Sequence, residues 1–174
     1  IISSSAAVTD VQFMNVSNVE TLDLTPAGGA KAIDLGSYFS ASGITTVNVD
    51  GSHISTVTAS GTTKGVKYVV DGANNVADDV TGGLGDDTIS YDNTTLLTAA
   101  DTFVGGAGTD TIEIRNTAAG VTGTIGLKQS TGFEKVVIAD ADGGDTSGAE
   151  EADAISITFE GETTTGIDAD NSTD

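Results

Sequence analysis

The chain has 174 residues and a formal net charge of −20, from 26 acidic and 6 basic residues. Because phosphate binding needs clustered Lys and Arg, this balance excludes nucleic acid as a partner and disfavours an anionic membrane surface. The absence of cysteine excludes a small disulfide-stapled domain. The sequence contains no apolar run of about 18 residues, so membrane insertion is not expected, and no signal peptide is visible.

Short β-forming runs follow one another along the chain, and Gly, Asn, Asp or Ser separates most of them. They lie at 19–24, 32–35, 44–49, 54–59, 66–70, 88–90, 101–104, 111–114, 122–127, 134–138 and 155–159. Residues 38–42 or 94–100 are candidates for a helical turn. Few segments carry a 3.6-residue apolar stripe, so the sequence predicts an all-β protein.

The apolar residues of these runs recur at a regular distance. Successive positions are 9 to 14 residues apart and alternate positions are 20 to 25 apart, at Leu24, Leu35, Val47, Val57, Val69, Val80, Ile89, Phe103, Ile112, Ile125 and Val137. This spacing predicts a parallel β-solenoid, of the β-roll or β-helix kind, with coils of about 22 residues and two strands per coil. A β-sandwich is the alternative, and glycines at the corners favour the solenoid.

Two nonapeptides share the pattern G-G-x-G-x-D-x-U-x, in which U is a large apolar residue. The first spans residues 82–90 and the second spans residues 105–113. Glycine permits the dihedrals that turn backbone carbonyls inward, and Asp87 and Asp110 add carboxylates at the loop exits. Calcium takes roughly six to eight such oxygens, so these corners are candidate calcium sites. Ile89 and Ile112 should then point into the coil.

With two complete copies, the chain resembles the RTX family of calcium-dependent secreted proteins. The resemblance implies a β-roll in which each ion lies between neighbouring coils. The implied metal-binding residues are Asp87, Asp110, Gly83, Gly85, Gly106 and Gly108. The chain departs from the 18-residue coil that two successive nonapeptides would form by five extra residues, which we place within residues 91–100.

Degenerate half repeats precede both nonapeptides. Nine residues before each loop aspartate, Asp78 and Asp101 keep the D-x-U pattern without its glycines, and we include them as metal ligands. Asp87 and Asp110 are 23 residues apart, as are Asp78 and Asp101. The equal offsets predict that the members of each pair stack on neighbouring coils.

The acidic stretch at 140–151 is a weaker candidate. Asp140, Asp142 and Glu151 match positions 1, 3 and 12 of an EF-hand loop, but Asp145 stands where glycine is expected and no amphipathic helices flank the loop. An irregular calcium loop and a solvated acidic loop are the alternatives. We retain Asp140, Asp142, Asp145 and Glu151 as secondary metal candidates.

Nothing in the sequence predicts an enzyme. His53 is the only histidine, and without cysteine a zinc or copper site is not expected. Serine-hydrolase chemistry would need His53 together with a G-x-S-x-G motif, which the chain lacks. A longer internal similarity relates residues 17–25 to residues 131–139 and indicates a duplicated module.

Acidic residues concentrate in the second half of the chain, with 9 acids and no base in residues 71–113. We divide the chain into solenoid coils without metal repeats at 1–72, calcium-binding coils at 73–116, and further β coils with acidic loops at 117–174. Since it begins at Ile1 without methionine, we expect a piece of a larger protein.

The resemblance implies a non-enzymatic extracellular protein on the bacterial cell surface, exported by type I secretion and most like a Gram-negative surface-layer protein. Its expected partners are calcium and copies of itself in a lattice or filament, with cell-surface polysaccharide as a further candidate. One alternative is an RTX adhesin segment that binds host or sugar surfaces. Another is the calcium-folding module of a secreted protease or lipase. Such modules usually carry longer uninterrupted repeats, which favours the surface layer or adhesin.

Overall fold

The computed structural model describes residues 7–24, 31–50, 54–71, 79–91, 101–116, 123–126, 130–140, 155–158 and 167–168. A 3-10 helix (Asp10–Phe13) precedes the first strand, and the short helix α1 (Ser37–Ser42) lies at a later corner. The strands are β1 (Thr21–Leu24), β2 (Lys31–Asp34), β3 (Thr46–Asp50), β4 (Ile54–Thr58), β5 (Lys67–Asp71), β6 (Asp79–Thr81), β7 (Thr88–Tyr91), β8 (Thr102–Val104), β9 (Thr111–Asn116), β10 (Gly123–Gly126), β11 (Ser130–Thr131), β12 (Lys135–Asp140), β13 (Ile155–Thr158) and β14 (Ile167–Asp168).

The strands form two long parallel sheets, and through most of the chain successive strands belong to these two sheets in turn. One sheet has the order β1-β3-β5-β7-β9-β12-β14, and the other has the order β11-β8-β6-β4-β2. Strands β10 and β13 pair with each other in a small parallel sheet. Through most of the chain each coil gives one strand to each long sheet, which is the winding of a β-solenoid. The predicted parallel solenoid is confirmed, and the β-sandwich alternative is wrong.

The register sets the length of a coil. Thr21 pairs with Thr46, Thr46 with Lys67, Lys67 with Thr88, and Thr88 with Thr111, so successive strands of this sheet are 21 to 25 residues apart. The predicted repeat of about 22 residues is confirmed.

The core lies between the two sheets and consists of stacked side chains, one from each coil. One such column contains the buried residues Val47, Tyr68, Ile89, Ile112 and Val136. Val69 and Val137, which mark their strands in the predicted spacing, do not belong to this column. Each is only partly buried and lies one residue beyond Tyr68 or Val136, on the opposite face of its strand.

Helix α1 confirms the helical turn predicted at 38–42. Its N-terminus is capped by a residue from the preceding coil, because the carboxylate of Asp10 accepts hydrogen bonds from the backbone N–H groups of Gly36, Tyr38 and Phe39 at 2.8–3.1 Å. A Cβ at Gly36 would lie 2.8 Å from that carboxylate, so a larger residue there would push the carboxylate away from its present position. Burial raises the pKa of Asp10, but the amide hydrogen bonds outweigh it, and the net pKa lies below its usual value.

Replacing Asp10 with alanine should lower the free energy of unfolding by about 1–2 kcal/mol, since α1 loses its cap. Because the folded pKa is depressed, the contribution of Asp10 should be present at neutral pH and should disappear as the pH falls through that pKa. Urea unfolding of D10A and wild type at pH 7 and pH 3 measures both effects. The control is D34N, which removes an exposed carboxylate. A cost for D10A as small as that for D34N would contradict the capping role.

Candidate functional site

The two glycine-aspartate loops connect the sheets at one edge of the solenoid. Residues 82–87 join β6 to β7, and residues 105–110 join β8 to β9. The N–H of Gly82 donates to the carbonyl of Val104, and the N–H of Thr111 donates to the carbonyl of Asp87. The loops therefore stack on each other in neighbouring coils.

Glycine is required in these loops because the backbones of adjacent coils touch there. A Cβ at Gly82 would collide with the carbonyl oxygen of Gly105, and a Cβ at Gly105 would collide with the carbonyl oxygen of Gly132. The loops themselves differ in conformation. Gly106 and Gly108 have φ values of 112° and 139°, whereas Gly83 and Gly85 are not in the positive-φ region.

Asp87 lies inside the stack of coils and is only 1% exposed to solvent. Both oxygens of its carboxylate accept hydrogen bonds. Its Oδ1 accepts the backbone N–H of Val66 at 2.8 Å, and its Oδ2 accepts the N–H of Gly83 at 2.6 Å. Burial raises the pKa of Asp87 to about 6, the negative charges of Asp110 and Asp86 act in the same direction, and the two amides oppose them.

Asp110 occupies the same position one coil later, which confirms its predicted stacking on Asp87. Its Oδ1 accepts the backbone N–H of Asp87 at 2.7 Å. Its Oδ2 is buried and has no hydrogen-bond partner, unlike Oδ2 of Asp87. Burial raises the pKa of Asp110, and the charges of Glu134 and Asp86 raise it further against the effect of the Asp87 amide.

Glu134 continues the series in the next coil, where the loop is shorter. The N–H of Asp110 donates to Oε2 of Glu134 at 2.7 Å. Asp87, Asp110 and Glu134 thus form a carboxylate ladder, in which each side chain accepts the backbone N–H of the corresponding residue one coil earlier. Glu134 lies outside both nonapeptides, and the only sequence signal for it was the similarity between residues 17–25 and 131–139.

Asp86 adds a second carboxylate beside the ladder. It is exposed, and its Oδ1 accepts the backbone N–H of Thr109 at 2.8 Å. Across the ladder and Asp86, four acidic side chains from three coils lie close enough for charge repulsion to raise the pKa values of Asp87 and Asp110.

The remaining predicted metal residues have different positions. Asp101 is buried immediately before β8, and Val80 of β6 pairs with Phe103 of β8. The predicted stacking of Asp78 on Asp101 stays a prediction. The backbone of Asp140 ends β12, at the side remote from the corner loops. Asp78, Asp142, Asp145 and Glu151 lie outside the described residues, as does His53.

The corner of Asp110 offers donors that fit a hard cation, although the described residues contain no cluster of three or more His, Cys, Asp or Glu side chains in metal-binding proximity. Calcium does not require such a cluster, because backbone carbonyls and water also serve as ligands. The Gly132 carbonyl oxygen and Oδ2 of Asp110 both border the space that a Cβ at Gly105 would fill. Oδ2 of Asp110 is buried without a hydrogen-bond partner, and a buried polar atom normally has one.

Comparison of the chain with protein-family models, curated proteins and solved structures finds no match in any of the three. In the described part of the chain, no helix has the length and apolar character needed to span a membrane. The solenoid fold and the geometry of its corners are therefore the basis for a functional conclusion.

Proposed function

We propose that this chain is a calcium-stabilised structural solenoid that assembles with copies of itself into an extracellular surface layer or lattice. It acts without catalysis, on the bacterial cell surface. The observation that supports this best is the unpartnered, buried Oδ2 of Asp110, which lies in a ladder of stacked carboxylates at an oxygen-rich corner. An unsatisfied buried carboxylate oxygen is costly unless a cation or a proton accompanies it.

The ladder couples cation binding to the stacking of coils. Adjacent strands are about 4.8 Å apart, so carboxylates at the same position in successive coils repel one another in a poorly solvated edge. A bound calcium ion would supply positive charge and coordination at Asp110. Asp87 and Glu134 hold the neighbouring coils through amide hydrogen bonds, which keeps the corner in register.

The charge of the whole chain supports the same conclusion. With a formal net charge of −20, copies of the chain repel each other in the absence of cations. Divalent cations would reduce this repulsion and could bridge acidic surfaces of neighbouring copies. A chain that lacks cysteine also needs another source of stability outside the cell, and bound calcium provides one.

Calcium should therefore raise the free energy of unfolding. At millimolar calcium and a Kd of about 10–100 μM, each occupied site contributes about 1.4–2.7 kcal/mol. Urea unfolding followed by circular dichroism, in calcium, in magnesium and in chelator, measures the effect, with magnesium as the control because it prefers a smaller, rigid octahedral site. Electron microscopy of the same samples should find an ordered lattice in calcium and dispersed particles in chelator.

Identical unfolding curves in calcium and chelator would contradict calcium stabilisation. Calcium-dependent folding with particles that stay monomeric at high concentration would contradict self-assembly and would favour a calcium-folding module of another extracellular protein.

A further inference from the structure

We infer that the two glycine-aspartate corners have different roles: the Asp110 corner takes a divalent cation with Glu134 as a ligand, whereas Asp87 is an internal hydrogen-bond acceptor. This inference rests on the proposed function and deepens it by naming the residues that hold the ion. It also departs from the nonapeptide pattern, which treats the two corners as equal and does not include Glu134.

Asp87 lacks the properties of a metal ligand. Two backbone N–H groups, from Val66 and Gly83, point at its two oxygens and stabilise its negative charge. The positive ends of those amides occupy the space that a cation would need on the same side.

Asp110 differs from Asp87 in the surroundings of one carboxylate oxygen, Oδ2. The amide that satisfies Oδ2 of Asp87 comes from Gly83, four residues earlier, and its counterpart in the next coil is Gly106. Gly106 has a φ of 112°, so its peptide group is oriented differently from that of Gly83. Oδ2 of Asp110 is consequently buried without a donor, next to the Gly105 backbone at the loop entrance.

Glu134 opens this corner to solvent. It is exposed, and only its Oε2 is needed to accept the amide of Asp110. The carboxylate therefore lies at the surface one coil beyond Asp110, bonded to the backbone of the residue whose Oδ2 is buried and unsatisfied. A cation held between Glu134 and Asp110 would satisfy that oxygen and offset the repulsion between the two groups, with Asp86 adding negative charge from the other side. A proton on Asp110 is the competing way to satisfy Oδ2.

The test is equilibrium dialysis of the full 174-residue chain against radioactive calcium at pH 7, comparing E134Q with E20Q. Glu20 is a matched control, because it immediately precedes the strand at the other end of the same sheet and is also exposed. Both variants remove one surface charge. We expect E134Q to lose one bound ion, or to bind it at least about tenfold more weakly, since ligand charge sets calcium affinity. E20Q should bind as wild type does, and D87N should keep the full number of ions at a temperature where it is folded.

Each other outcome overturns the inference. If wild type binds calcium and E134Q binds it equally well, Glu134 is not a ligand, but the proposed function survives. If D87N loses an ion while folded, the two corners are not different in the way inferred. If wild type binds no calcium at all, the inference fails together with the proposed function.

Discussion

Replacement of Asp87 with alanine is expected to destabilise the chain severely, even without calcium. The substitution leaves the buried backbone N–H groups of Val66 and Gly83 without acceptors. Each such amide costs about 1–3 kcal/mol, and the two costs fall on one corner. A typical domain is stable by only about 5–15 kcal/mol, so D87A should unfold at a much lower urea concentration than wild type in chelator.

The pH dependence gives an independent check on Asp87. Burial raises its pKa to about 6 in the folded chain, whereas an unfolded aspartate titrates near about 3.9. The folded chain therefore binds more protons between these values, and its stability should fall as the pH rises from about 4 to about 6. D87A should flatten this slope in chelator. A wild-type stability that rises steeply over this range would contradict the buried position of Asp87.

The second large effect is expected for alanine at Gly105. Its Cβ would collide with the carbonyl oxygen of Gly132 and would lie 2.7 Å from Oδ2 of Asp110. Because the carbonyl oxygen of Gly132 belongs to the backbone, the neighbouring coil must move as a unit to relieve the collision. Overpacking of this kind costs about 1–3 kcal/mol and occasionally more, and here the added methyl also presses on Oδ2 of Asp110, the oxygen proposed to bind calcium. G105A should therefore lose both stability and the response to calcium.

Leu84 provides the control for Gly105. It is 60% exposed in the loop one coil earlier, so L84A should change the free energy of unfolding by no more than about 0.5 kcal/mol. Urea unfolding of both variants with and without calcium makes the comparison. A G105A chain as stable and as calcium-responsive as L84A would show that the coils do not touch at Gly105.

The solenoid was predictable because its repeat is present in the chain as a spacing of apolar residues. Each coil contributes equivalent inward positions, so residues such as Ile89 and Ile112 are separated by the length of one coil and stack in the core. The two nonapeptides also predicted that Asp87 stacks on Asp110. The spacing did not determine which residues of a strand face inward: in β5 the buried residues are Tyr68 and Val70, and Val69 between them is only partly buried.

The details of the site could not be predicted from the motif. The pattern gives Asp87 and Asp110 the same role, and only the backbone conformation of the loops separates them. Gly106 has a positive φ that Gly83 lacks, and one amide hydrogen bond is absent as a result. Glu134 was missed because its loop lacks the nonapeptide, although it occupies the register position of Asp110 one coil later. Asp10 was missed because a cap supplied by another coil leaves no local pattern.

The most direct test is a crystal structure of the chain grown with calcium, with anomalous scattering recorded at a wavelength where calcium contributes. If calcium binds at the Asp110 corner, an anomalous peak should lie within about 2.3–2.6 Å of Oδ2 of Asp110. A Glu134 oxygen should belong to its coordination sphere. No peak is expected at Asp87, whose oxygens accept the amides of Val66 and Gly83. A map with no anomalous peak at Asp110, and with Oδ2 bonded only to protein or water, would contradict a calcium-stabilised solenoid at its main site.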